Sequence, residues 1–300
     1  MNDNDLIKQL IDSLLEDRKN DKKYKFYSRL IFLSFFVVIL ILIFLPDSNN
    51  SSFTDKHIAV VDVQGVIAPA SPSSVSNIIP YIKKAADNEN CLGIILKINS
   101  PGGSATQSKI IFDEIVKIRS TSDKPIYSVI EDMGTSGGYY VAASTEKIFS
   151  SSSSIVGSIG VRLDSYNIKE LMTNLGIKSQ TLSAGRDKLI LNPFDDLTPE
   201  HKAHILLLLN DIHSQFISDI KKSRGEKLTN NDIFTGLFWT GAQAKDIGLI
   251  DEVASIYDVT DKYFDNNKLI NYNKKDKLID KLFGKVSNLI SNQDQAYLKY

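Results

Sequence analysis

The chain has 300 residues, 42% of them hydrophobic, with 35 basic and 36 acidic side chains and a formal net charge of −1. That length accommodates one large α/β domain with additions, and the near balance of charge provides no bulk electrostatic pull toward nucleic acid. Cys91 is the only cysteine, which excludes an internal disulfide and a cysteine-rich zinc site. At the head of the apolar run 91–96 it reads as a buried core thiol.

Taken in chain order, residues 1–29 carry Leu6, Ile7, Leu10, Ile11, Leu14 and Leu15 at helical spacing, the pattern of a short amphipathic helix. Residues 30–45 (LIFLSFFVVILILIFL) have no charge, and Ser34 is their only polar side chain. This is the pattern of a transmembrane anchor, somewhat short of the ~20 residues a span usually needs but extended at the interface by Phe26 and Tyr27. A cleaved signal peptide would end in a small-residue site, and Pro46-Asp47-Ser48-Asn49-Asn50 has none. Arg18, Lys19, Lys22, Lys23, Lys25 and Arg29 precede the segment, so the N-terminus is expected in the cytoplasm and everything after Pro46 outside. The polar, aperiodic stretch 46–56 reads as a linker.

From His57 short Ile/Val-rich runs alternate with amphipathic helical patterns: HIAVVDVQGVIA, SSVSNIIPYIKKAADNE, CLGIILKINS, SATQSKIIFDEIVKIRS and KPIYSVIED. This βαβαβ alternation predicts a globular α/β domain over 57–255, built on a parallel sheet with ligands gathered at the strand C-terminal ends. Further elements follow: a short strand with a serine-rich turn at 150–154, a helix near 169–175, a strand at 177–182 and a long helix after Pro199. Residues 256–300 turn Lys/Asn-rich, with Leu278, Ile279, Leu282, Phe283, Val286, Leu289 and Ile290 at helical spacing. They read as a basic amphipathic tail that can touch membrane, a second subunit or the chain's own core.

Two glycine turns sit at predicted strand ends, Asn99-Ser100-Pro101-Gly102-Gly103 and Gly134-Thr135-Ser136-Gly137-Gly138. Acyl transfer needs a nucleophile on a sharp turn, amides aimed at the developing oxyanion and a nearby base. Ser136 fits the first need, and the amides of Gly103 and Gly137, free of side chains, fit the second. A single such turn can merely shape a strand–helix junction; two together point to chemistry. For the base, four histidines are available: His57 opens the first strand, and His201, His204 and His213 lie on the helix after Pro199. His201 and His204 share a face, but no third metal ligand stands near them, and neither metal nor cofactor is expected. Lys188, followed by Leu189, Ile190 and Leu191, is the other candidate. Burial among apolar groups would favour its neutral form, which in water is only about one lysine in a thousand near neutral pH.

These blocks (KINSPGGS, MGTSGGYYVAAS, EKIFSSSSSIVGSIGV, SAGRDKLILNPFDDLT and WTGAQAKDIGLIDE, in that order between Ala59 and Val253) resemble the short form of signal peptide peptidase A, a family of Ser/Lys peptidases. The resemblance implies a Clp-protease/crotonase-like fold of ββα repeats with a parallel sheet, behind one N-terminal transmembrane helix. It implies Ser136 as nucleophile, Lys188 as general base, Gly103 and Gly137 as oxyanion donors, and Ser158 as a hydrogen-bond partner of the lysine. It also implies cleaved signal peptides as substrates and a homo-oligomer in which the serine of one subunit meets the lysine of the next. Thr135 and Asn192-Pro193-Phe194 depart from the family's commoner residues, which bears on pocket shape. Two other readings remain. Gly134-Thr135-Ser136-Gly137-Gly138 also fits the G-x-S-x-G elbow of an α/β-hydrolase, with His213 downstream as its base. A membrane-tethered scaffold without activity would keep the fold alone.

Overall fold

The computed structural model describes residues 18, 22–38, 55–229 and 232–273. The chain divides into two compact units, one of Met1–Asn50 with Lys275–Tyr300 and one of Ser51–Lys274. In the first, residues 22–38 form a helix with exposed side chains, which includes 30–38 of the expected anchor; residues 1–17 and 39–45 lie outside the described residues. Among the described residues no helix is long and apolar enough to cross a membrane.

The second unit holds the strands β1 (His57–Gln64), β2 (Cys91–Ser100), β3 (Ile126–Thr135), β4 (Lys147–Ser150), β5 (Ile155–Gly157), β6 (Phe238–Thr240), β7 (Glu252–Val253) and β8 (Leu269–Asn271). Its helices are α1 (Val75–Ala86), α2 (Ala105–Thr121), α3 (Gly137–Ala142), α4 (Lys169–Asn174), α5 (Pro199–Arg224), α6 (Gly241–Asp246) and α7 (Ile256–Phe264). The strands form one sheet in the order β6-β5-β3-β2-β1-β8, with β4 beside β3 and β7 beside β4. Every pairing of these strands is parallel except β5 with β6. The fold is therefore mixed α/β on a mostly parallel sheet, as the alternation predicts.

Side chains alternate across a strand, so a strand covered on both faces reads as a nearly unbroken apolar run. Ala59, Val61 and Val63 of β1 and Ile94, Leu96 and Ile98 of β2 enter the larger core. There they meet Ile78 and Ile82 of α1 and Ile111 and Ile115 of α2, each pair one helical turn apart. The intervening Ile58 and Ile95 enter a smaller cluster on the opposite face, with Val129, Phe149 and Val259 and Phe264 of α7. Gly93 of β2 is needed for that packing, because a Cβ there would lie 2.3 Å from the Phe264 ring.

The outer edge of β3 is shared by two partners. Its first half, Tyr127 to Ile130, pairs with β4, while Met133 to Thr135 pairs with β5. The edge is thereby split, and the chain leaving β3 at Ser136 emerges between β2 and β5. Helix α5 is capped by the Thr198 hydroxyl, which accepts from the His201 amide at 3.2 Å. At its other end buried Arg224 donates to Asp251 (2.8 Å) and to the Gly248 carbonyl (2.9 Å), anchoring it beside the sheet.

The structure departs from the sequence-based expectation in two places. Residues 177–182 form no strand and are exposed; a strand needs a partner edge for its backbone groups, and none pairs with them there. The sheet also continues past 255: α7 covers one face, and β8 pairs with β1 in the register Ile58↔Leu269. The remainder of the expected tail, from 274 onward, lies outside the described residues.

Candidate active site

Ser136 sits between β3 and α3 with φ +52° and ψ −123°, a conformation that a residue with a Cβ adopts at a cost. Two backbone bonds hold it there. Its N–H donates to the Gly157 carbonyl at 2.7 Å, and its own carbonyl accepts from the Tyr140 amide at 2.9 Å. Helix α3 begins at Gly137, immediately after Ser136, and all six of its residues are buried.

The turn at 99–103 lies directly against this junction. Gly102 has φ +96°, and a Cβ on it would meet Gly137 N at 2.6 Å and Ser136 Cβ at 2.8 Å, so only glycine fits. Buried Ser100 holds the turn: its hydroxyl donates to the Gly65 carbonyl at 2.6 Å and accepts from the Gly102 amide at 3.1 Å. A bridge between Ile67 and Gly103 completes it, with Ile67 N donating to Gly102 O (2.9 Å) and Ser104 N to Ile67 O (2.8 Å). Neither the Gly103 nor the Gly137 amide donates to an acceptor among the described residues. Both line, with Ser136 and Ser158, a cleft of about 880 Å³.

Ser158 has φ +53° and donates its amide to the Leu237 carbonyl at 2.7 Å, next to the Gly157 carbonyl that receives Ser136. One face of α5, carrying Leu208, Ile212 and Phe216, forms an apolar wall of the cleft. Tyr140 forms part of the lining one turn beyond Ser136. A hydroxyl held on a strained turn beside two unengaged amides and an apolar wall can supply two of the three needs of acyl transfer, a nucleophile and oxyanion donors, but not the base.

Lys188 stands elsewhere. It lies in a turn (its amide donates to the Gly185 carbonyl at 3.2 Å) and is exposed. It does not line the cleft, and its ammonium has no hydrogen-bond or ion-pair partner among the described residues. The cleft of one chain thus brings together Ser136, Gly103, Gly137 and Ser158, and leaves Lys188 out.

The histidines offer no substitute within that cleft. His213 Nε2 lies 3.1 Å from the Ile159 carbonyl, and since a carbonyl only accepts, that nitrogen carries the proton. His57 is buried, with ring nitrogens 2.7 Å from Asp55 O and 2.8 Å from the Tyr272 hydroxyl. His201 pairs with Asp187 at 3.1 Å, and His204 is exposed.

Sequence reasoning missed a group behind the site. The Tyr140 hydroxyl donates to Asp219 Oδ2 at 2.5 Å, and Lys109 approaches the same oxygen at 3.2 Å. Burial, and next the bond to Asp219, push the Tyr140 phenol up. Burial works against the Lys109 charge, but hydrogen bonds to Asp113 and Asp219 outweigh it and hold the ammonium above the usual lysine range. The available signal was Asp219's place one turn beyond Phe216 on the apolar stripe of α5.

Residues 118–269 match Peptidase family S49. The chain is 34% identical over 222 residues to Na(+)/H(+) antiporter NhaA of Brucella melitensis, a match covering 72% of this chain and 30% of that protein. It is 27% identical over 223 residues to Protease 4 of Haemophilus influenzae, covering 73% of this chain and 36% of the other. It is also 27% identical over 190 residues to the chloroplastic serine protease SPPA of Arabidopsis thaliana, covering 63% and 28%. The chain therefore spans about a third of the length of each of these relatives.

Proposed function

The chain belongs to peptidase family S49, and on that premise we propose that it is a membrane-anchored serine endopeptidase that attacks apolar peptides through Ser136. The observation that carries this reading is the strained Ser136 turn beside the two unengaged amides of Gly103 and Gly137, all in one cleft. In the proposed reaction a neutral Lys188 takes the Ser136 proton as Oγ attacks the peptide carbonyl, and the two amides hold the oxyanion. The lysine then gives its proton to the departing amine, and a water activated by the same lysine hydrolyses the acyl-enzyme. Ser158, in the same cleft as Ser136, would hydrogen-bond the lysine once it arrives.

The lysine is supplied by a second subunit in this reading. Its exposed position outside the cleft favours that, as do the exposed apolar side chains of Leu171, Leu175, Ile177, Leu182 and Leu207; Leu182 is 99% exposed. Apolar surface of this extent ordinarily marks an interface. The fold at the finer level would be the Clp-protease/crotonase-like ββα arrangement. The substrates would be remnant signal peptides or other apolar peptides, which suit the Leu208, Ile212 and Phe216 wall. Residues 30–45 would anchor the chain with its N-terminus in the cytoplasm and the cleft outside.

Hydrolysis of an apolar fluorogenic peptide by Ser136→Ala, Lys188→Ala and His213→Ala variants tests the assignment. Activity should vanish in the first two and survive in the third. Loss in the histidine variant with retention in the lysine variant would return the α/β-hydrolase reading, against which His213 Nε2 donating to Ile159 already speaks. Failure of Ser136 to react with a fluorophosphonate, together with absence of cleavage, would leave a scaffold.

A further inference from the structure

Behind the two glycine turns lies a buried charged junction that the proposed reaction does not use. Asp219 Oδ2, on α5, accepts from the Tyr140 hydroxyl at 2.5 Å and meets Lys109 Nζ at 3.2 Å. Lys109 also binds Asp113 one turn along α2, at 2.5 Å. Tyr140 is 4% exposed and Asp219 8%, so the carboxylate is nearly out of water. The Tyr140 ring stacks on Phe216 with centroids 4.1 Å apart and lies 5.2 Å from Phe112. One carboxylate therefore joins α2, α3 and α5.

Where those helices begin gives the junction its significance. Helix α2 starts immediately after the Gly103 turn, with Ser104 as its N-cap; α3 starts at Gly137, immediately after Ser136. The spacing between the Gly103 amide, one residue before the N-cap of α2, and the Gly137 amide, on the first residue of α3, thus follows where the two helix N-termini lie. Helix α3 has only six residues and cannot hold a position by itself. Apolar packing against it is non-directional, whereas a hydrogen bond to a buried carboxylate fixes both distance and angle. Burying that carboxylate is costly, and an apolar side chain beside Phe216 and Ile220 would pack at less cost. A positional role accounts for its presence.

We propose that Lys109, Asp219 and Tyr140 form a positioning device that sets the distance between the Gly103 and Gly137 amides and keeps Ser136 in its strained conformation. This rests on the reading of those two amides as oxyanion donors. Stabilisation by such donors falls steeply with misplacement, a displacement of ~1 Å costing on the order of a hundredfold in rate.

The test uses the full anchored chain carrying Tyr140→Phe, Asp219→Asn, Lys109→Met or Lys109→Arg, with an apolar fluorogenic peptide and a fluorophosphonate. Tyr140→Phe and Lys109→Met should lower kcat at least about tenfold while KM stays within about twofold, and should slow fluorophosphonate acylation in parallel. Lys109→Arg, which preserves the charge, should recover most of kcat. Lys109 is the most exposed member, so its variants report even where Asp219→Asn does not fold. Wild-type kcat and acylation rate in Tyr140→Phe and Lys109→Met, with only a lowered melting temperature, would overturn the inference and leave a structural contact. Ser136→Ala serves as the control. If it abolishes hydrolysis while those two variants behave as wild type, the inference alone falls; hydrolysis surviving Ser136→Ala would bring down the active-site reading and this inference with it.

Discussion

Gly137→Ala isolates the steric demand at the site, because Gly137 is the first residue of α3 and its φ is not in the positive region, so the backbone accepts alanine. The new Cβ would lie 2.3 Å from Ser108 Oγ, 3.3 Å from Ser108 Cβ and 3.3 Å from Gly103 N. Relieving the first contact to an ordinary separation requires a shift of about 1 Å. Ser108 is fully buried and its hydroxyl donates to the Ser104 carbonyl at 3.0 Å. Swinging that hydroxyl away strands a buried donor, at ~1–3 kcal/mol. The other escape moves α3 and with it the Ser136 junction. Either route falls in the ~1–3 kcal/mol range of overpacked cores, which for a domain of this size lowers the melting temperature by roughly 2–4 °C per kcal/mol. If α3 moves, kcat/KM for an apolar peptide should fall on the order of a hundredfold.

Adding Ser108→Ala separates the two consequences. Without Oγ the severe contact is gone, so the double variant should regain most of its thermal stability, read by scanning fluorimetry. The Cβ still stands beside the Gly103 amide, so kcat/KM should recover only in part. A Gly137→Ala variant with kcat/KM within about twofold of wild type would refute the argument that this spacing matters to the reaction.

Ser136→Gly should abolish hydrolysis yet raise the melting temperature by a few degrees, since relief of ~1–3 kcal/mol of backbone strain exceeds the ~0.5–1 kcal/mol entropic cost of glycine; an unchanged or lowered midpoint would show that φ +52° is not strained here. Arg224→Met leaves Asp251 with Lys227 (2.6 Å) as its remaining cationic partner, and should cost about 3 kcal/mol in urea unfolding at neutral pH. Burial pushes the Asp251 carboxyl up, but hydrogen bonds from Arg224 and Lys227 outweigh it and hold the carboxyl below the usual range. The corresponding stability is present above the unfolded value near ~3.9 and is lost as pH falls through the lower folded value, so the gap between wild type and Arg224→Met should narrow below about pH 4; a gap that is constant with pH would count against the ion pair. Cys91, 2% exposed and with its thiol pushed up by burial, should react with iodoacetamide only as the domain unfolds; rapid labelling of the folded protein would contradict the packing of β2.

The parallel sheet was legible because each of its central strands is buried on both faces and so reads as an Ile/Val run, while α1 and α2 show their apolar faces every third or fourth residue. The Ser136 and Gly102-Gly103 turns were legible for a local reason, that few residues other than glycine suit such bends. What stayed hidden depends on partners distant in sequence. Residues 177–182 look like a strand but find no edge, whereas three-residue β8 gives no periodic signal and becomes a strand through pairing with β1. Asp219's place on the apolar stripe of α5 hints at burial, but only the approach of Tyr140 and Lys109, distant in sequence, makes it a charged junction. Lys188 shows the converse, since the apolar residues after it suggested a pocket, yet its side chain is exposed in the single chain.

That exposure bears on how the proposed enzyme would be controlled. A lysine in water is almost wholly protonated near neutral pH, and only removal from solvent or a neighbouring cation makes it an effective base. Within one chain the cleft holds the hydroxyl and both amides, its lining carries Arg162 and Asp164 but neither a lysine nor a histidine, and Lys188 is exposed outside it. Under the shared-dyad reading, docking of a second subunit would do two things at once: carry the lysine to Ser136 and strip it of water. Deprotonation and attack would then share one prerequisite, and an unassembled chain would be inert. Mixing Ser136→Ala with Lys188→Ala subunits would rebuild a complete pair wherever the intact lysine of one meets the intact serine of the other, about a quarter of sites in a randomly mixed ring. An intrachain dyad allows no such recovery, because every subunit in the mixture lacks one of the two groups.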